Sequence, residues 1–157
     1  MNSFVNILII DDAMINIEVV RHILSENYLN YHFSIATSGK EALEIVKIKK
    51  FTLILLDIVM PEMDGFDVCM ALKSDPLTKD IPIIFLTAST DLDSIKKAFS
   101  LGAVDYITKP FLNAELVARV GTHVTLSRAI MMLKEHNLDL ESRLEWESVS
   151  LFQTLES

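Results

Sequence analysis

Three carboxylates, one hydroxyl and one ammonium group stand directly after short apolar runs of this chain. Asp11 and Asp12 follow "NILII", Asp57 closes "LILLD", Thr87 closes "IIFLT", and Lys109 with Pro110 follows "DYIT". Asp57 poses the sharpest question, because Ile58, Val59 and Met60 after it are apolar again. A carboxylate in that setting must reach an exposed tip or be compensated for its burial. Taken singly, each residue has an ordinary explanation: Asp11 and Asp12 as caps of a first helix, Asp57 as a loop carboxylate, Thr87 as another cap, Lys109 as a solvated charge. Brought together on one rim, they would do chemistry. Three neighbouring carboxylates stay anionic only if a cation joins them. An oxygen-rich donor set without sulfur or histidine suits a hard ion, Mg²⁺ in particular. Asp57 would then be free to attack a phosphoryl donor and form an acyl phosphate, with the metal and Lys109 neutralising the equatorial oxygens.

The elements that must position these groups are legible in the apolar pattern. The runs "FVNILII", "HFSIA", "FTLILLD", "IPIIFLT" and "AVDYI" have strand length and alternate with segments of helical spacing. That alternation predicts βα units around a parallel sheet, five strands and five helices over residues 4 to about 122. Residues 53–56 and 83–86 are apolar without alternation, as in strands covered on both faces. In such sheets ligands bind outside the carboxyl ends of the strands, where strand order reverses, and all five polar groups fall at those ends. Ser38 and Glu41 have capping-box spacing at the second helix, and Asp64 with Gly65 marks the start of the third. "SDPLTKDIP" has the turn-rich composition of a surface connection, and Gly102 stands where the fourth helix should end.

Composition narrows the function classes. The 157 residues are half apolar and 23% charged, which suits one globular domain with a small appendage. Fourteen basic against 22 acidic residues leave a net charge of −8, which argues against a protein that coats nucleic acid. Lys47, Lys49 and Lys50 read as a favourable helix end. Cys69 is the only cysteine and so forms no internal disulfide, and no apolar run reaches the roughly 18 residues of a membrane span. The first residues lack the basic start and cleavage site of a signal peptide, so a cytoplasmic location is expected. Cys69, Met60, Met63 and Met70 read as packing groups, and the four histidines show no metal-ligand spacing.

From Asn113 onward the chain holds no proline and many helix formers, which predicts one long helix. Leu126, Ile130, Leu133, Asn137, Leu140, Leu144 and, past a falter at Glu147, Leu151 recur at heptad a/d spacing. Trp146 lies beside that falter. A helix of roughly 40 residues is about 60 Å long, well beyond a domain with a radius of gyration of about 13–14 Å. The outer half therefore needs another partner, and a parallel two-helix coiled coil is expected, with Asn137 at an a position fixing its register. Folding back onto its own domain is the alternative.

The segments "ILIIDD", "LLDIVMPEMDG", "IIFLTA" and "DYITKPF", in this order, resemble the receiver domain of two-component response regulators over roughly residues 4–122. The resemblance implies a flavodoxin-like, doubly wound sheet of order 2-1-3-4-5, and phosphorylation of Asp57 by a histidine kinase or phosphotransfer protein. It implies Mg²⁺ held by Asp11, Asp12, Asp57 and the backbone carbonyl of Val59, with Thr87 and Lys109 gripping the phosphoryl group. Tyr106 would be the rotating switch aromatic, and the Lys109–Pro110 bond would be cis. Val59 and Ser89 occupy positions that influence phosphoryl lifetime, and Val59 offers no proton acceptor. The expected organisation is a receiver domain over 1–122 and a dimerising helical extension over 123–157, signalling through the face of helix 4, strand 5 and helix 5.

Three rivals are weighed against this reading. An interaction module of the same fold that signals without phosphate would not need the full set of site residues. A stand-alone aspartate-nucleophile phosphatase needs a second acid where Val59 stands. A direct DNA-binding regulator is disfavoured by the acidic balance and by the lack of a reader helix. No effector module follows the helix in this sequence, so it acts by protein contact or is a receiver cut from a longer regulator.

Overall fold

The computed structural model describes residues 4–88 and 91–156, and side chains as far as Val149. Ser89 and the side chain of Leu151 lie outside the described residues. The chain alternates strictly: β1 (Val5–Ile10), α1 (Met14–Asn27), β2 (Tyr31–Ala36), α2 (Gly39–Ile48), β3 (Leu53–Asp57), α3 (Gly65–Ser74), β4 (Ile83–Thr87), α4 (Leu92–Ser100), β5 (Asp105–Thr108) and α5 (Asn113–Glu156). All strand pairs are parallel and the order is β2-β1-β3-β4-β5, the flavodoxin-like arrangement. β3 and β5 begin two residues later than their apolar runs, although Phe51 and Ala103 are still buried.

Because successive strand residues point to opposite faces, the sheet divides the apolar residues between two cores. Leu8, Ile10, Ile54, Leu56 and Phe85 pack with Val68 and Leu72 of α3 and Ala98 of α4. Ile7, Ile9, Leu53, Leu55 and Leu86 pack with Ile17, Val20 and Leu24 of α1 and with Leu116, Val120 and Val124 of α5. Every residue of β3 and β4 is buried, which is why their sequences do not alternate.

Helix starts follow the local chemistry. Asp64 accepts from Asp67 N–H and Asp67 reciprocates to Asp64 N–H, a complete capping box. At α2 only half of the expected box is present: Ser38 accepts from Glu41 N–H, while the Glu41 carboxylate accepts from Thr37. Gly102, at φ +103°, turns the chain out of α4. The connection 74–82 is less superficial than its composition suggests, since Thr78 is buried and donates to Leu72 O at 2.7 Å. Met60 is buried, but Met70 is half exposed and packs little.

α5 has 44 residues, about 66 Å at 1.5 Å per residue. Its first three turns seat on the sheet. There Gly121 matters, because a Cβ at that position would lie 2.1 Å from the Tyr28 hydroxyl, which donates to Val117 O at 2.8 Å. Ser127 donates to Thr52 O at 3.0 Å and Lys134 pairs with Asp80 at 2.8 Å, so α5 passes the amino ends of β3 and β4 before leaving the domain. Among the described residues no helix is long and apolar enough to cross a membrane.

Candidate functional site

β1 and β3 are neighbours in the sheet, yet the chain runs from β1 to β2 on one side and returns to β3 on the other. The crevice at that reversal is flanked by Asp11, just past β1, and Asp57, the last residue of β3. Asp11 is fully buried, Asp57 is 6% exposed, and Asp12 is exposed to solvent. One carboxylate oxygen from each of the three lies within 4.8 Å of the others. The capping explanation for the first pair fails: Ala13 caps α1, no side chain caps it, and Asp11 accepts from Ala13 N–H at 2.9 Å while its other oxygen turns to Lys109.

Lys109 lies across the crevice. Its Nζ is 3.0 Å from Asp11 Oδ2 and 3.2 Å from Asp57 Oδ1, with its side chain 17% exposed. Burial, and then the charge of Asp11, push the Asp57 carboxyl above the ordinary carboxylate range, against the pull of Lys109 and of the Ile58 N–H. One ammonium therefore does not fully balance two buried carboxylates. A further cation would, and the oxygen-only donor set fits a hard divalent ion.

The backbone holds the other groups on the same rim. Thr87, buried at the end of β4, is one position beyond Leu86, the partner of Asp57 in the ladder. Its carbonyl accepts from Lys109 N–H at 2.8 Å, and the Lys109–Pro110 bond is cis. Tyr106 is half-buried on β5, opposite Phe85, and meets Phe99 of α4 edge to face at 5.9 Å. Val59 follows Asp57 by two residues in a loop that turns through Glu62 at φ 67°, and its side chain is 75% exposed.

Two contributors escaped sequence reasoning. A Cβ on Gly65 would lie 2.1 Å from Asp57 O, so only glycine lets α3 start against the end of β3, with Gly65 N–H donating to Ile58 O at 2.8 Å. Its position after an N-cap gave no hint of that contact. The second is Asp105, held by Arg119 at 2.7 Å and His123 at 3.1 Å. Glu115, Arg119 and His123 at four-residue spacing were a visible helical stripe, but their partner on β5 was not.

Residues 7–121 match the response regulator receiver domain as a family. This chain belongs to that family. Among relatives of the receiver domain, the probable cyclic di-GMP phosphodiesterase of Vibrio cholerae serotype O1 is 41% identical over 138 residues, 88% of this chain and 31% of that protein. The chain spans between about a third and about a half of the length of the first curated relatives it matches. A chemotaxis response regulator of Vibrio cholerae is 27% identical with TM-score 0.71, over 77% of this chain and 99% of that one. The receiver domain of a sensor histidine kinase from Pseudomonas aeruginosa, solved with a magnesium ion coordinated in its active-site cleft, is 25% identical with TM-score 0.70, over 78% of this chain and 99% of that one. The present chain is thus a receiver domain carrying an additional long helix, and its clustered aspartates are of the receiver type. The receiver fold and the clustered aspartates are consistent with phosphoacceptor chemistry at this rim.

Proposed function

We propose that this chain is the phosphoacceptor of a two-component system, that Asp57 takes the phosphoryl group, and that α5 carries the phosphorylation state outward through a homodimer. The observation that carries this reading is the Lys109 ammonium shared between two buried carboxylates beside a third. A fold used only for protein contact has no reason to gather them.

Asp11, Asp12, Asp57 and the Val59 carbonyl would hold Mg²⁺, which when bound supplies positive charge to the oxygens of the transferring phosphoryl group. An Asp57 oxygen forms the new O–P bond as the N–P bond of a phosphohistidine breaks, and the departing imidazole keeps the bonding pair and takes up a proton. Lys109 then donates to one phosphoryl oxygen and Thr87 to another. Two charge-assisted hydrogen bonds of about 1.5–3 kcal/mol each supply about 3–6 kcal/mol, against about 5.5 needed to move a two-state equilibrium from 1:99 to 99:1. Tyr106 turns as Thr87 moves, changing the face of α4, β5 and α5.

The donor is a histidine kinase or phosphotransfer protein of the cytoplasm. Ile15, Val59 and Leu112, 72%, 75% and 68% exposed, follow β1, β3 and β5 on the same rim and suit a protein donor. The dimer helix is supported by Leu126, Ile130, Leu133, Leu140 and Leu144, all between 42% and 63% exposed at a/d spacing. Ile at an a position with Leu at d favours two parallel strands, and Asn137 at a finds its best partner in a second Asn137. His136 at g and Glu141 at e complement each other across that seam. An effector is engaged by this dimer, without direct nucleic-acid contact by this chain.

Labelling with acetyl phosphate and Mg²⁺, read by intact-protein mass, tests the core of the reading. One phosphoryl group is expected on the native chain and none on Asp57→Asn; a labelled variant refutes the assignment.

A further inference from the structure

Asp105 opens β5, and its carboxylate collects three donors. Oδ1 accepts from Tyr106 N–H at 2.9 Å and from Arg119 Nη1 at 2.7 Å, and Oδ2 lies 3.1 Å from His123 Nε2. Glu115 braces Arg119 from the preceding turn at 3.1 Å. The Asp105 and His123 side chains are only 14% and 17% exposed, and Arg119, 44% exposed, closes the cluster from the solvent side.

The register of α5 gives the cluster its meaning. Seven residues before Ile130 stands His123, and seven before Leu126 stands Arg119. The two residues that grip Asp105 therefore lie on the face that becomes the apolar seam, one heptad above its first layer. The domain holds α5 through Leu116, Val120 and Val124; Leu116 stands one heptad before His123, so the stripe that packs on the domain runs through the Asp105 contact into the seam. In a symmetric parallel dimer Arg119 and His123 would approach their own copies, and Asp105 supplies the negative charge that offsets this.

We infer that the Asp105–Arg119–His123 cluster couples β5 to the dimer seam, so that a shift of Tyr106 changes how the two α5 helices meet. The same carboxylate oxygen holds the Tyr106 N–H and the Arg119 guanidinium, so the strand cannot shift there without altering the grip on the helix. These are positioning residues, and the inference rests on Asp57 as acceptor and α5 as dimer helix.

The test is sedimentation of the full chain with Mg²⁺, with and without beryllium fluoride as phosphoryl mimic, for the native chain and Asp105→Asn. The native dimer constant is expected to change by about 5- to 150-fold, the usual span of coupling between sites. In Asp105→Asn the two constants should converge, while acetyl phosphate still labels Asp57. Should Asp105→Asn lose its circular-dichroism signal, the double variant Arg119→Gln/His123→Gln gives the same readout from the helix side. A native-sized response in the folded variant overturns the coupling. So does a native dimer indifferent to beryllium fluoride, which leaves the dimer reading standing. A native chain that labels but stays monomeric in both states sinks the dimer reading and the coupling together, whereas one that never labels sinks the phosphoacceptor reading.

Discussion

Lys109 is the residue on which the electrostatics of the crevice turn. Its ammonium stands 3.0 Å from Asp11 and 3.2 Å from Asp57, both nearly buried. Replacing it by methionine keeps the length of the stem and leaves two carboxylates without their cation, a change expected to cost about 3–5 kcal/mol. The sign of the pH dependence follows from Asp57, already raised by burial and by Asp11. Without Lys109 its folded pKa rises further above the unfolded value. A carboxyl so shifted costs stability above its folded pKa, and the cost vanishes as pH falls below the unfolded value. Urea midpoints should therefore show Lys109→Met losing most at neutral pH and recovering toward pH 4, with added Mg²⁺ restoring part of the loss at neutral pH.

Two elements hold the site in place by contacts that are easily broken. α3 starts so near β3 that a Cβ on Gly65 would meet Asp57 O at 2.1 Å. Neither partner is a flexible side-chain end, so Gly65→Ala must move the helix or the strand, at a cost of at least about 1–3 kcal/mol. Thermal unfolding should report that loss, and acetyl phosphate labelling of the folded fraction should slow, because the displaced atom belongs to Asp57 itself. The join of β5 and α5 has its own titration. Burial raises the Asp105 carboxyl, but hydrogen bonds from Arg119, Tyr106 N–H and His123, with the Arg119 charge, outweigh it and hold it below the ordinary range. A carboxyl lowered in this way stabilises the fold above its unfolded pKa and loses that contribution as pH falls through the folded one. Between pH 5 and pH 3 the native chain should thus lose more stability than Asp105→Asn, as measured by urea denaturation at each pH.

At the scale of the whole molecule, the buried apolar packing of α5 on the receiver ends at Val124, Ser127 and Lys134 reach the domain by polar contacts further along, and α5 continues to Glu156. A single helix of that length with five exposed a/d leucines and isoleucines is not self-sufficient in water, where most helical stability comes from packing an apolar face. Ending the chain after Arg128 should convert a dimer into a monomer by light scattering while leaving the receiver folded and Asp57 reactive. An unchanged mass would place the dimer contact on the domain instead of the helix. Relatives add a direction: the Vibrio cholerae match spans 138 residues of this chain, more than the receiver alone, so that likeness runs into the extension.

Strand runs, helix starts and the set Asp11, Asp12, Asp57, Thr87 and Lys109 were legible in the linear chain, because apolar period and strand-end polarity are local properties. Local pattern also marked the a/d repeat from Leu126 to Leu144. What it could not carry is anything set by two segments meeting. Asp105 with Arg119 and His123, Gly65 against Asp57 O, Gly121 against Tyr28 and the reach of Lys109 to Asp11 beside its expected pairing with Asp57 each join residues distant in sequence or pressed together across elements. Each depends on distances of a few ångströms that only the packed sheet and helices decide.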